Sequence, residues 1–290
     1  MPHRRAKPRP EKKSTTDWSP VANWYDELVG ESGSEYHREV VLPGVLRLLN
    51  PLPRQNILDV ACGQGVLARM LAAKGADVTA VDASPELIEA ARKRDASHFA
   101  ANLPALPQAG EGGGEGLPKV TYRVADARDL NFLSPSYFDS AACVLAIQNI
   151  HPIQPVFAGV ARALKPHGKF VVAMMHPHFR GPKETHWGWD EKQKIQYRRV
   201  DRYLIPRKSP IVAHPGHNSS EYTWTFHKPL EQYVRALRNA GLLVEALEEW
   251  PSHKTSTSGP RAAAENTARK EIPMFLALRV MKVPMVEPQT

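Results

Sequence analysis

Cysteine is nearly absent: Cys62 and Cys143 are the only two in 290 residues. One falls in a glycine turn and the other inside an apolar run, which argues against a disulfide framework and for a reducing, cytoplasmic setting. No run of 18 apolar residues occurs, so no membrane-spanning helix is expected. No apolar segment follows the basic residues of the N-terminus, so a secretory leader is not expected either. The histidines lack zinc spacing. His176-Pro177-His178 and His214-x-x-His217 have no matching Cys/His set, and no helical pair stands four apart, so no metal site is expected. Basic charge is also scarcer than the total suggests. Residues 1–14, with Arg4, Arg5, Lys7, Arg9, Lys12 and Lys13 against Glu11, carry +5 of the net +8. With Pro2, Pro8 and Pro10, this tail reads as disordered over residues 1–16.

The most informative residues are 57–65, Ile-Leu-Asp-Val-Ala-Cys-Gly-Gln-Gly. An apolar run reaches Asp59 and breaks at Gly63 and Gly65. Val66, Leu67, Met70 and Leu71 then follow at the spacing of one helix face. That predicts strand, tight turn and helix. The glycines lack a Cβ, so backbone can approach a bound molecule there. Val78-Thr79-Ala80-Val81 ends in Asp82, 17 residues past Gly65. An acid at the tip of a second strand can take both hydroxyls of a ribose. A nucleoside-containing cofactor is therefore expected. Gly63-x-Gly65-x-x-Ala68 also satisfies the relaxed dinucleotide fingerprint, but Asp59 speaks against a pyrophosphate over the turn. A carboxylate there suits a cofactor carrying a positive ammonium group.

Asp59, Gly63, Gly65 and Asp82 together resemble the first two motifs of the class I S-adenosylmethionine-dependent methyltransferases, of the small-molecule type found in ubiquinone biosynthesis. The resemblance continues at Asp126 and Ala127 after the strand Val120–Val124, where the family meets adenine. It continues again at Leu164-Lys165-Pro166-His167-Gly168, similar to the family's turn into strand five with His167 in place of a glycine. It covers residues 55–175 firmly and 229–282 loosely. It implies an α/β fold, a three-layer, Rossmann-like sheet of seven mostly parallel strands in the order 3-2-1-4-5-7-6 with the last antiparallel. S-adenosylmethionine is the implied cofactor. The implied contacts are Tyr25, Tyr36, Asp59, Ala61, Gly63, Gly65, Asp82, Ala83, Asp126, Ala127, Leu145 and Gln148. Tyr25 and Tyr36 come from an N-terminal lid whose aromatic residues close over cofactor and substrate in similar enzymes.

The chain then divides into a tail at 1–16, a helical lid at 17–50 and a cofactor-binding core at 51–175. An inserted cap at 176–228 and a return to the core at 229–290 complete it. Tyr137–Ile147 reads as a fourth strand, and residues 230–282 as helix, strand, long loop and last strand. Residues 100–118, with Gly110-Glu111-Gly112-Gly113-Gly114-Glu115-Gly116, form a Gly-rich surface insertion. In the cap, Val200–Ile205 and Tyr222–Phe226 alternate like two paired strands. Its aromatic density suggests an enclosed, largely apolar substrate pocket. His151 follows strand four and His176 follows strand five, so each is a candidate general base for a hydroxyl acceptor.

The expected reaction is methyl transfer to a small molecule at oxygen or nitrogen, with carbon as a remaining option. An RNA methyltransferase using the basic tail and the cluster Lys192, Lys194, Arg198, Arg199, Arg202, Arg207 and Lys208 is the first alternative. Against it, the Asp/Asn-Pro-Pro-Tyr motif of amino-methylating nucleic-acid enzymes is replaced by Gln148-Asn149-Ile150-His151. A cofactor-binding protein without catalysis is the second alternative.

Overall fold

The computed structural model describes residues 18–102, 120–214 and 220–284. The expected tail, most of the Gly-rich insertion and His217 lie outside them. After a short 3-10 turn, α1 (Ala22–Val29) and α2 (Leu42–Leu49) precede the sheet, with α2 entered through a π-helical turn at His37–Val41. Asp26 of α1 accepts both terminal guanidinium nitrogens of Arg94 at 2.6 and 2.8 Å, which fastens this segment to the core. Gln64 adds a bond from Nε2 to the carbonyl of Gly30 at 2.8 Å.

The core alternates strand and helix: β1 (Asn56–Val60), α3 (Val66–Ala73), β2 (Asp77–Asp82), α4 (Pro85–Asn102), β3 (Val120–Val124), β4 (Phe138–Val144), α5 (Gln154–Ala163) and β5 (Leu164–Met175). Four strands follow outside the main sheet: β6 (Thr185–Asp190), β7 (Ile195–Val200), β8 (Arg207–Val212) and β9 (Tyr222–His227). The chain closes with α6 (Leu230–Asn239), β10 (Leu242–Trp250), α7 (Ala262–Glu271) and β11 (Phe275–Lys282). The main sheet runs β10-β11-β5-β4-β1-β2-β3. Only β11 opposes its neighbours, pairing antiparallel with β5 and β10. This is the strand order the resemblance implies, with β10 and β11 as its sixth and seventh strands.

Both faces of the sheet are covered, as a parallel sheet requires. Alternation on β5 sends Phe170, Val172 and Met174 to one face, where Phe157, Val160, Tyr233 and Leu237 of α5 and α6 meet them. It sends Val171 and Ala173 to the other, packed with Val45, Leu49, Leu67, Leu71 and Ile88 of α2, α3 and α4. The same alternation places Asp59 on the face of Ile57, between sheet and helices rather than in water. No helix among the described residues is long and apolar enough to cross a membrane.

Three details depart from the sequence expectations. The strand expected at Val200–Ile205 is a turn: Val200 ends β7, Arg202 takes φ 52°, and the Ile205 amide bonds back to the Arg202 carbonyl. Tyr203 is drawn inward there, its hydroxyl accepting the Leu230 amide at 2.7 Å. The partner of Tyr222–His227 is instead β8, and β6 pairs with β7 in a separate hairpin. The fourth strand stops at Val144 because Leu145 turns the chain with φ 53°, and Ile147–Asn149 form a 3-10 turn. The long loop before the last strand holds α7, whose Ala262-Ala263-Ala264 start favours helix.

Candidate active site

The turn after β1 is a succession of left-handed residues, Ala61 at φ 55°, Gly63 at 55° and Gly65 at 78°. A Cβ on Gly65 would stand 2.7 Å from the Tyr122 hydroxyl oxygen, so glycine is required there for closeness as well as for φ. Asp82, at the end of β2, holds the turn in place. Its Oδ2 accepts the Gly63 amide at 2.8 Å and its Oδ1 the Ser84 amide at 2.9 Å.

Beneath the turn lies Asp59. It is buried, and its Oδ2 has neither exposure nor a hydrogen-bond partner. Burial, with the Asp82 carboxylate nearby, pushes its pKa up to about 7. An orphaned carboxylate oxygen beside a glycine turn fits a cationic group arriving from outside the chain. Asp59 lines a small cavity with Tyr25, Ala61, Cys62 and Val144. That cavity shares Tyr25, Ala61 and Val144 with the main cleft over the sheet. The cleft is lined by Trp18, Tyr25, Ala61, Gly63, Asp82, Ala83, Leu87, Asp126, Ala127, Leu145 and Asn149, among others. Trp18 and Tyr25 meet edge to face at 5.2 Å and roof this space. At its far end Arg128 holds the Asp126 carboxylate below its usual range through paired hydrogen bonds.

Eleven of the twelve residues expected around the cofactor thus lie on the cleft, on the small cavity, in the glycine turn, or, for Gln148, on an adjoining cavity. Leu145 also lines this second cavity. Tyr36 stands apart. Its ring packs on His253 and Phe275 and its hydroxyl pairs with Ser252, so it lines none of these spaces.

The adjoining cavity has a volume of about 330 Å³ and shares Trp18, Leu145 and Asn149 with the cleft. Its walls include Met175, Arg180, Ile211, Phe226, His227, Lys228 and Tyr233. Most aromatic side chains of 176–228 face elsewhere: Trp187 packs between Arg180 and Arg198, and Trp224 lies under Lys208. The expectation of an aromatic pocket is met by few of them. The basic cluster is engaged in the same way. Arg198 bonds Phe179 and Thr185, Arg199 pairs with Asp201, and Arg207 pairs with Glu184.

Two oxygen atoms at the junction are notable. Gln148 donates through Nε2 to the Leu145 carbonyl at 2.6 Å, which leaves its Oε1 buried without a partner. Asn149 Oδ1 is buried and unpartnered as well. Both suit a ligand that brings a hydroxyl or an amine proton.

The three histidines near this space differ. His176 is buried with both ring nitrogens engaged. Nδ1 accepts the amides of His178 and Phe179, so Nε2 carries the proton and donates to Glu249 at 2.8 Å. His151 is exposed, stacks on Phe226 at 5.2 Å and lines neither space. His227 lines the cavity. Its Nε2 donates to the Tyr203 carbonyl at 2.7 Å, which fixes the tautomer and leaves the Nδ1 lone pair beside Gly181. Burial holds its pKa below the usual histidine value, so it is neutral at pH 7.

Residues 58–172 match the family model described as "Methyltransferase domain". Over 126 residues the chain is 32% identical to a ubiquinone biosynthesis O-methyltransferase of Xylella fastidiosa, covering 43% of this chain and 44% of that protein. The chain thus spans less than half the length of the curated relatives it matches. A solved S-adenosylmethionine-dependent methyltransferase from Mesorhizobium loti superimposes with a TM-score of 0.60 at 25% identity, covering 87% of this chain and all of that one. A putative S-adenosylmethionine-dependent methyltransferase from Listeria monocytogenes gives 0.59 at 20% identity over 84% of this chain and 98% of that one, a likeness of fold. Fold, glycine turn and sequence match agree: residues 58–172 are a class I S-adenosylmethionine-dependent methyltransferase domain.

Proposed function

We propose that the chain transfers a methyl group from S-adenosylmethionine to a hydroxyl of a small-molecule acceptor. The observation that carries this reading is the orphaned, buried Asp59 oxygen beneath the glycine turn, at one end of a cleft that shares walls with a second cavity. Relatives named as O-methyltransferases support oxygen as the acceptor atom. A reducing cytoplasm is the matching location, in keeping with two unpaired thiols.

In this reading Asp59 takes the ammonium end of the cofactor and Asp82 the ribose hydroxyls. Ala83, Asp126 and Ala127 flank the adenine. When bound, S-adenosylmethionine supplies a methyl carbon made electrophilic by the sulfonium that bears it. Trp18 and Tyr25 close the cleft and exclude water. Gln148 Oε1 and Asn149 Oδ1 orient the acceptor hydroxyl at the junction, and alignment of this kind is the larger part of catalysis for an in-line displacement. His227 accepts the hydroxyl proton at Nδ1 as the new bond to oxygen forms, while Tyr203 keeps its ring in the required tautomer. His176, with both nitrogens engaged, acts instead as a positioning residue that ties the end of β5 to Glu249. His151 supports Phe226 from outside the cavity.

Calorimetry tests the cofactor half directly. S-adenosylhomocysteine should bind the full chain, and NADH binding more tightly than S-adenosylhomocysteine would overturn the assignment. Methyl transfer from labelled S-adenosylmethionine into a metabolite extract tests turnover. Cofactor binding without any labelled product would leave a binding protein rather than an enzyme.

A further inference from the structure

The second cavity is unusual in its charge. Arg180 and Lys228 both line it, and among the described residues no aspartate or glutamate does. Lys228 is 5% exposed, and its ammonium donates only to the backbone carbonyls of Ile150 and Phe226, at 3.1 and 3.4 Å. It lies over the rings of Phe226 and Tyr233, 5.4 and 5.7 Å from their centroids. Arg180 leaves its Nε buried without a partner and rests its guanidinium on Trp187 at 5.3 Å, with Arg198 on the same ring. Among the described residues neither cation has a carboxylate.

Three other partly buried arginines do find one: Arg94 has Asp26, Arg207 has Glu184 and Arg279 has Glu245. Taking an ammonium or guanidinium out of water without a counter-charge costs several kcal/mol. Lys228 registers that cost, its pKa brought down by burial to about 8, and Arg180 is brought down to about 10 by burial and by Arg198. A fold that needed only packing at these positions would be more stable with apolar side chains. Two such cations lining one cavity are a site prepared for a counter-charge that the described residues do not supply.

We propose that the acceptor bound in this cavity is an oxyanion: a small molecule with an apolar body, a donor hydroxyl at the Asn149 junction and a carboxylate or phosphate group held between Arg180 and Lys228. This deepens the methyl-transfer reading and rests on it. The apolar body matches Met175, Ile211, Phe226 and Tyr233 in the same walls. The cavity is of the size that takes small ligands. Arg180 offers a planar fork suited to two oxygens of one oxyanion, and Lys228 a point charge.

The experiment is calorimetry of the full chain saturated with S-adenosylhomocysteine, titrated with benzoate, phenyl phosphate and benzamide. Benzamide has the shape of benzoate without its charge. Both anions should bind about tenfold or more tightly than benzamide, the equivalent of one charge-assisted hydrogen bond. Lys228→Met and Arg180→Gln should each remove about tenfold of the anion affinity and leave benzamide nearly unchanged. Equal binding of benzoate and benzamide, no binding by any of the three, or an anion preference that survives both substitutions would overturn the oxyanion site. Failure at the first stage, with no binding of S-adenosylhomocysteine to the wild type, would instead bring down the methyl-transfer reading beneath it.

Discussion

The two halves of the site carry opposite charge and are built in opposite ways. The cofactor cleft is acidic, with Asp59, Asp82 and Asp126 at the carboxyl ends of neighbouring strands. The acceptor cavity is cationic, with Arg180 and Lys228 reaching it from either side of the inserted hairpins. Each acid of the first half sits at a strand end or one turn beyond, so its place follows from a motif of a few residues. Each cation of the second half sits where separate segments converge. Arg180 follows the end of β5, and Lys228 follows β9 and is fixed to the turn after β4 through the Ile150 carbonyl. In the proposed reading, a field that is negative around a cationic cofactor and positive around its acceptor would keep each ligand out of the other's place.

Removing the base should break the comparison most visibly. His227→Ala is expected to lower kcat by roughly 10²–10⁴ and to leave S-adenosylhomocysteine affinity unchanged, since His227 lines only the acceptor side. The wild type should lose activity on the acid side, below a pKa already depressed by burial, as Nδ1 becomes protonated. That acid limb should vanish in the variant. Activity within about threefold of wild type across the pH range would remove His227 from the chemistry.

On the acidic half, Asp82→Ala should cost roughly 2–3 kcal/mol of cofactor binding, for a charge-assisted pair of hydrogen bonds and the loss of the Gly63 tether. Calorimetry with S-adenosylhomocysteine reads it, and unchanged affinity would exclude Asp82 from the site.

Asp59 gives a pH signature. Its folded pKa of about 7 means that the carboxyl must lose a proton to meet a cation at lower pH. Cofactor affinity should therefore fall toward about tenfold per pH unit below 7 and level off above it. Proton release on binding should be seen in buffers of different ionisation enthalpy, and Asp59→Asn should flatten the profile. The same shift acts on stability with the opposite sign from a paired carboxylate. Between pH 4 and 7 the folded chain holds a proton that the unfolded chain has lost, so this group's contribution declines as pH rises through that window.

The smallest effect sharpens the cationic half. Lys228→Met should raise stability by about 1–2 kcal/mol, because an unpaired buried ammonium is replaced by an apolar side chain of similar length. Since the folded pKa is depressed to about 8, the wild type regains stability as pH rises from 8 toward the ordinary lysine value. The gap between the two should narrow accordingly, as thermal unfolding would record. A variant less stable than wild type at pH 7 would mean that the bonds to Ile150 and Phe226 make Lys228 a structural residue.

Legibility in the sequence follows the same division. The glycine turn and its acids could be read because they depend on contacts within one βαβ unit, where spacing along the chain is spacing in space; the strand order came with the family resemblance. The resemblance offered Tyr25 and Tyr36 alike as lid contacts; Tyr25 lines the cleft, whereas Tyr36 belongs to the packing against β11, which no local pattern encodes. The acceptor side was misjudged in detail. Aromatic density in 176–228 suggested walls, yet Trp187 and Trp224 are spent on holding arginine and lysine side chains within the hairpins. His176 was conspicuous by its position after β5, but the amides of His178 and Phe179 occupy it. His227 and Lys228 did carry a signal: two polar residues closing an alternating aromatic strand, just before the proline that starts a helix. Their meaning depends on Tyr203 and Ile150, 24 and 78 residues away.

The most direct test of this division is a crystal structure of the chain with S-adenosylhomocysteine. The account predicts the ligand's ammonium at Asp59, its ribose at Asp82 and its sulfur turned toward Asn149, with the space between Arg180 and Lys228 left for another molecule. A ligand whose carboxylate or adenine fills the cavity beside Lys228, with Asp59 still unpaired, would contradict it.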